Sequence, residues 1–153
     1  MMADNNDPKE MLDYPDPEVL LGEDADLRFL GFRKVFVSVF DHWLSREEYE
    51  RLFPLGEDQQ SAYVEARRKF YAGLEGDKYR YSGRYELLPE LAYQVELGRL
   101  VDGSKLMNFY VPRYKMFVEG SYEHTDVIYY QDASLMQDAL EGARECGLHV
   151  LEE

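Results

Sequence analysis

The sequence predicts an α+β fold: a mostly antiparallel five- to six-stranded sheet with about three helices packed on it, preceded by a disordered acidic tail. Three observations carry that expectation. Asp102-Gly103 stands between two long strand-like runs, Leu91 to Val101 and Leu106 to Val118, and a two-residue Asp-Gly loop suits a type I′ hairpin turn. Ser45 with Glu48, and Ser134 with Gln137, have the spacing of capping boxes ahead of runs with helical periodicity. Residues 1–26 hold nine Asp or Glu against one Lys, broken by Pro8, Pro15 and Pro17.

That first stretch contains too few apolar residues to offset the entropy of ordering it, so 1–26 reads as tail and 27–153 as a single domain. Its apolar points, Met11, Leu12, Tyr14, Val19, Leu20 and Leu21, are the places where it can dock on the domain or on a partner. From Leu27 the composition shifts. Phe29, Leu30, Phe32, Val35, Phe36, Val37, Val39 and Phe40 form a β-branched and aromatic run with little alternation, which suits a strand covered on both faces.

Asp41-His42-Trp43-Leu44 leaves the sheet, and Ser45 opens a short helix that stops at Pro54. Gln59 to Leu74 places Tyr63, Ala66, Phe70 and Leu74 about one helical turn apart, which makes it the longest predicted helix, with Gly73 and Gly76 as stop signals. Arg67-Arg68-Lys69 within it reads as a solvated face. Lys78 to Leu88 is expected as one strand with a bulge at Gly83. In the central hairpin Leu91, Tyr93, Val95, Leu97 and Val101 alternate with Ala92, Gln94, Glu96 and Gly98, and the returning strand bends at Pro112. Tyr122 to Tyr130 is a further strand. A helix from Ser134 ends at Gly147, and Leu148 to Leu151 returns through a crossover, parallel to the preceding strand or to a neighbour beside it.

The net charge of −14 is uneven, with −8 in residues 1–26 and −6 in the rest. Such a chain is a poor polyanion binder, because phosphate contacts need cations and long-range repulsion slows encounter. One cysteine, Cys146, excludes an intrachain disulfide, and no apolar run approaches the roughly 18 residues needed to cross a membrane. With no secretory pattern at its start, the chain is expected to be cytoplasmic and without membrane contact.

Several constellations are candidates for chemistry. His42 follows the most apolar strand, where loops leave the sheet, and a histidine there is a possible general base. Sequence neighbours on a strand point oppositely, so Asp41 is not a natural orienter for it. His124 and Asp126 would share a strand face. The stretch Lys78-Tyr-Arg-Tyr-Ser-Gly-Arg-Tyr85 interleaves cations and rings, and Tyr79, Arg80, Tyr81, Arg84 and Tyr85 are its binding candidates. Alternation puts Lys78 and Arg80 on one face and Tyr79 and Tyr81 on the other, which separates the cations from the rings and weakens a nucleic-acid reading. Cys146 and His149 have a ligand-like gap, but completing a metal site would take every histidine in the chain. Neither a Gly-rich phosphate loop nor a nucleophile elbow is present, so no cofactor and no metal is expected.

These features favour a small acidic protein–protein interaction module acting as an inhibitor, immunity-type protein or adaptor for a basic partner, a nucleic-acid-binding protein among the options. Thirteen tyrosines support it, because a Tyr ring supplies contact area while its hydroxyl still hydrogen-bonds. The alternatives are a small enzyme or ligand-binding domain with a pocket of His42, His124, Asp126 and tyrosines, and nucleic-acid binding through the Lys/Arg/Tyr strand.

Overall fold

The computed structural model describes residues 14–22, 26–121 and 124–152. The expectation of disorder for residues 1–13 and 23–25, and that of strand at residues 122–123, lie outside them. An open antiparallel sheet of seven strands runs β3-β2-β4-β5-β6-β1-β7, and every neighbouring pair is antiparallel. The strands are β1 (Arg33–Ser38), β2 (Lys78–Tyr81), β3 (Tyr85–Leu88), β4 (Asn108–Val111), β5 (Met116–Glu119), β6 (Thr125–Tyr130) and β7 (His149–Leu151). Among the described residues there are six helices: α1 (Pro17–Leu20), α2 (Leu27–Leu30), α3 (Arg46–Leu52), α4 (Glu57–Ala72), α5 (Glu90–Asp102) and α6 (Ala133–Glu145).

The largest difference from the sequence reading is α5. Leu91 to Val101 is a helix, and the residues it buries are Tyr93, Leu97, Leu100 and Val101, whose spacing is helical. Leu91 and Val95, which the alternating pattern turns inward, are 82% and 57% exposed. Asp102-Gly103 closes this helix instead of turning a hairpin. Gly103 lies at φ 81, and its amide and that of Ser104 bond back to the last turn, where an L side chain would be strained.

Two predicted strands are hairpins, which raises the strand count. Lys78 to Leu88 folds back through Ser82-Gly83-Arg84, with Tyr81 opposite Tyr85 and Gly83 at φ 78 in the turn. Pro112 begins the turn between β4 and β5, where Val111 faces Met116, so the long bent strand is two short ones. Phe29 belongs to α2, because the Asp26 side chain caps that turn and Gly31 closes it at φ 79. The capping box of α3 is present as expected at Ser45 and Glu48. The cap of α6 is not Ser134 but Asp132, whose carboxylate accepts from the Ser134 and Leu135 amides. β7 runs parallel to β6, with β1 between them.

One sheet face packs against α4, α5 and α6. Its core includes Phe70 and Tyr71 of α4, Tyr93, Leu97, Leu100 and Val101 of α5, and Met136, Ala139 and Ala143 of α6, set on Val35, Val37, Phe109, Val111, Val118 and Ile128 of the sheet. The other face carries a smaller cluster, Leu20, Phe32, Tyr110, Phe117 and Tyr129, with Tyr14, Tyr81 and Tyr85 against it. Tyr14, Leu20 and Leu21, assigned to the tail by composition, lie in this second cluster. No helix among the described residues is long and apolar enough to cross a membrane.

Candidate interaction surface

β1 gives out at Ser38, and Phe40 to Ser45 turn away from the sheet toward the α3 cap. The strand rule of opposed neighbours no longer applies there, and Asp41 Oδ1 lies 2.5 Å from His42 Nδ1. This corrects the sequence expectation that Asp41 cannot orient His42. The other ring nitrogen, Nε2, is 2.5 Å from Glu48 Oε2, while Oε1 of the same carboxylate accepts the Ser45 amide in the capping box. The bond from the Ser45 backbone and then His42 hold the Glu48 carboxyl down to about 2. The bond to Asp41, then that to Glu48, raises the His42 pKa above its ordinary value and favours the imidazolium. Asp41 is lowered in turn, chiefly by its bond to His42.

Beside this clamp stands Trp43. Its indole packs edge-on against Phe36 at 4.6 Å between centroids, and Nε1–H donates to the Glu152 carbonyl at 2.9 Å, yet the residue remains 50% exposed. Two open hollows share Trp43 and Thr125 in their walls. The larger, about 380 Å³, is lined by Phe36, Leu106, Val127 and the carboxylate-bearing Glu119. The smaller, about 170 Å³, is lined by Ser38, Phe40, His42 and Tyr49. Ser38 and Thr125 hydroxyls bond to each other at 2.7 Å in the floor. Apolar walls, with Glu119 in the larger hollow and the His42-bonded carboxylates of Asp41 and Glu48 beside the smaller, make an acidic-rimmed apolar surface, and Lys34 Nζ lies 5.6 Å from the Phe36 ring centroid.

His124 and Asp126 lie on the helical side, away from this surface. Asp126 is 1% exposed and accepts four hydrogen bonds: two from Arg67 (2.8 and 3.2 Å), one from Tyr71 Oη (2.5 Å) and one from the Ser121 amide (2.8 Å). Arg67, read from sequence as part of a solvated basic face, is 1% exposed and is the partner that makes this buried charge tolerable. Burial, then the Asp126 charge, pushes the Tyr71 hydroxyl well above its ordinary value. His124 bonds through Nε2 to Gln60 at 3.1 Å, and burial followed by the Arg67 charge lowers its pKa, so the ring is held neutral. His42 belongs to the exposed clamp and His124 to this enclosed cluster, so the two histidines do not share a pocket among the described residues.

The Lys/Arg/Tyr stretch splits as alternation requires. Arg80 reaches Glu96 on α5 and Glu86 on β3, Arg84 pairs with Glu86, and Lys78 sits over the Tyr93 ring at 4.8 Å. Tyr79, Tyr81 and Tyr85 point the opposite way, where Tyr79 and Tyr85 meet Tyr14. Arg80 and Arg84 are thus matched by carboxylates, Lys78 donates to the Leu74 carbonyl, and the rings are covered by the chain's own 14–22 segment. Cys146 is half-buried at the end of α6, and among the described residues no group of three His, Cys, Asp or Glu is placed to hold a metal ion.

Sequence reasoning did not single out Trp43, Phe36 or Arg67. A signal existed for Trp43 and for Arg67. Trp43 is the one tryptophan, placed between the end of a strand and a capping box. Arg67 falls four residues after Tyr63 and three before Phe70, in the middle of the apolar stripe of α4. No protein family model, no curated protein and no solved structure matches this chain.

Proposed function

We propose that the chain is a small interaction module that occupies a basic partner protein, as an inhibitor, immunity-type protein or adaptor does, and that the Trp43 surface is its contact. The observation that supports this reading is the half-exposed Trp43 ring standing between two open hollows, with Glu119, Asp41 and Glu48 around them. A partner inserts an apolar side chain beside Trp43 and sets Lys or Arg against the carboxylates. Buried aromatic anchors supply most of the binding free energy in such interfaces, and the rim charges set the association rate and its salt dependence. The excess of negative charge over the whole chain, −14, steers a basic protein toward it.

The test is retention of basic proteins from native extract by the full chain and by Trp43→Ala, Glu119→Gln and His124→Ala, eluted with a salt gradient. The wild-type chain is expected to hold one basic protein that elutes with salt. Trp43→Ala should weaken that retention by about 2 kcal/mol or more, roughly thirty-fold. Glu119→Gln should move elution to lower salt, and His124→Ala, on the enclosed side, should keep the partner. Retention unchanged by Trp43→Ala in a folded variant rules out this surface.

A further inference from the structure

We propose that the tyrosine-lined face of β2, β3 and β4 is a peptide-binding groove which the chain's own Tyr14–Leu21 segment occupies in cis, and that its ligand in trans is a peptide of the same chemistry. That chemistry is a tyrosine followed by Pro-x-Pro with acidic residues at the intervening and following positions, then a leucine a helical turn later. This surface is lined by different residues from the Trp43 hollows and does not depend on the function proposed for them.

The segment is seated by side chains and one main-chain bond. The Tyr14 ring stands among Tyr79, Tyr85 and Tyr110, with centroid separations of 5.4, 5.4 and 4.6 Å. Tyr85 Oη donates to the Pro15 carbonyl at 2.6 Å. Pro15 and Pro17 are buried against the sheet, while Asp16 and Glu18 are exposed at its rim, where the Glu18 side chain bonds to that of Tyr81. Leu20, 3% exposed, enters the cluster of Phe32, Tyr110, Phe117 and Tyr129. Aromatic grooves take proline-containing segments because proline has no N–H to leave unpaired and its fixed φ leaves little backbone entropy to lose on docking.

A second feature makes the segment exchangeable. It contributes no strand to the sheet, whose ladder runs from β3 to β7 without it. Its departure therefore breaks no ladder hydrogen bond and uncovers a preformed row of rings. A short tether gives a cis ligand an effective concentration on the order of millimolar, so a peptide in trans has to compete with that. Loosening the cis segment is then expected to strengthen binding of the free peptide.

The experiment uses a labelled peptide of sequence Tyr14–Gly22 and fluorescence anisotropy on the full chain. Against the wild type, Tyr14→Ala combined with Leu20→Ala should bind the peptide about ten-fold or more tightly, because the intramolecular competitor is weakened. Adding Tyr85→Phe to that background should weaken binding about five-fold, the value of one hydrogen bond. A folded double variant that binds no peptide at millimolar concentration, or binding indifferent to Tyr85→Phe, overturns the proposal. Should the double variant not fold, amide exchange on the wild-type chain decides. Millimolar peptide should speed exchange in residues 16–21, and unchanged protection overturns the proposal. Dimerisation of the wild-type chain by exchange of this segment overturns the assignment to a separate partner.

Discussion

The two faces of the sheet treat polar groups in opposite ways. On the helical face Arg67, Tyr71 and Asp126 are enclosed and matched, with four donors converging on one carboxylate. On the other face the charged groups beside Trp43 stay in water. Asp41, His42 and Glu48 bond to each other at the surface, and Trp43 keeps half its area exposed beside open hollows. An enclosed carboxylate whose lone pairs are already taken fixes the packing of α4 on β6. An exposed clamp beside an apolar hollow leaves its groups available to something outside the chain. The difference separates what holds this fold from what it presents.

The sharpest way to break that contrast is to remove one member of the enclosed pair. Arg67→Met leaves Asp126 buried without its cation, and breaking a buried pair in this way destabilises by about 3–5 kcal/mol. At roughly 2–4 °C per kcal/mol for a chain of this size, thermal unfolding monitored by circular dichroism should fall by about 6–20 °C. A loss below about 1 kcal/mol would mean that Asp126 finds water or protonates without penalty, and the enclosed face would then be no different from the open one.

A smaller effect is expected where the helical face comes closest to the backbone. A Cβ at Gly120 would stand 2.5 Å from Leu100 Cδ1 and 2.9 Å from the Met107 carbonyl oxygen. The leucine tip can move, but the carbonyl belongs to the main chain and accepts the Gly120 amide at 3.2 Å. Gly120→Ala should therefore destabilise by about 1–3 kcal/mol, the range for overpacking, measured by urea unfolding with an unchanged m value. Gly98→Ala, where the added methyl meets nothing within 4 Å, is the control and should be neutral or slightly stabilising.

Much of this architecture was legible before the structure, and the failures have identifiable physical causes. The α3 capping box and the α4 stripe are local signals, and tertiary packing agrees with them. Leu91 to Val101 satisfies two periods at once: Leu91, Tyr93, Val95 and Leu97 alternate, while Tyr93, Leu97, Leu100 and Val101 repeat helically. Asp-Gly fits both outcomes, since a hairpin turn and a helix C-terminus each need positive φ at glycine. The site was less legible. Asp126 shares strand parity with Ile128 and Tyr130, which points it inward, but its partner lies 59 residues away on a helix whose basic triplet looked solvated. The Trp43 surface depends on β1, β5 and β6 meeting the loops that carry Trp43 and Leu106, and no local pattern encodes that.

The contrast is sharpened most finely by the two histidines, where the effect on stability is smallest and the readout is a titration midpoint. His42 has its pKa raised by Asp41 and Glu48, so its midpoint, followed by the ring resonances in NMR, should lie above 6.5. His124, lowered chiefly by burial, should titrate below 6.5. The signs oppose each other. The His42 contribution is fully present below about pH 6.5 and is lost as pH rises through the raised folded value, while His124 weakens the fold as pH falls from about 6.5 toward its lowered one. Glu48, held down to about 2, adds a contribution present above 4.5 and lost as pH falls through that window. Salt distinguishes the causes. Exposed pairs are screened over about 10 Å at 0.1 M, so raising salt should draw the His42 midpoint back toward 6.5 and leave that of His124 in place, because burial is not screened. Equal salt sensitivity at both rings would mean that the two faces differ in geometry but not in electrostatic character.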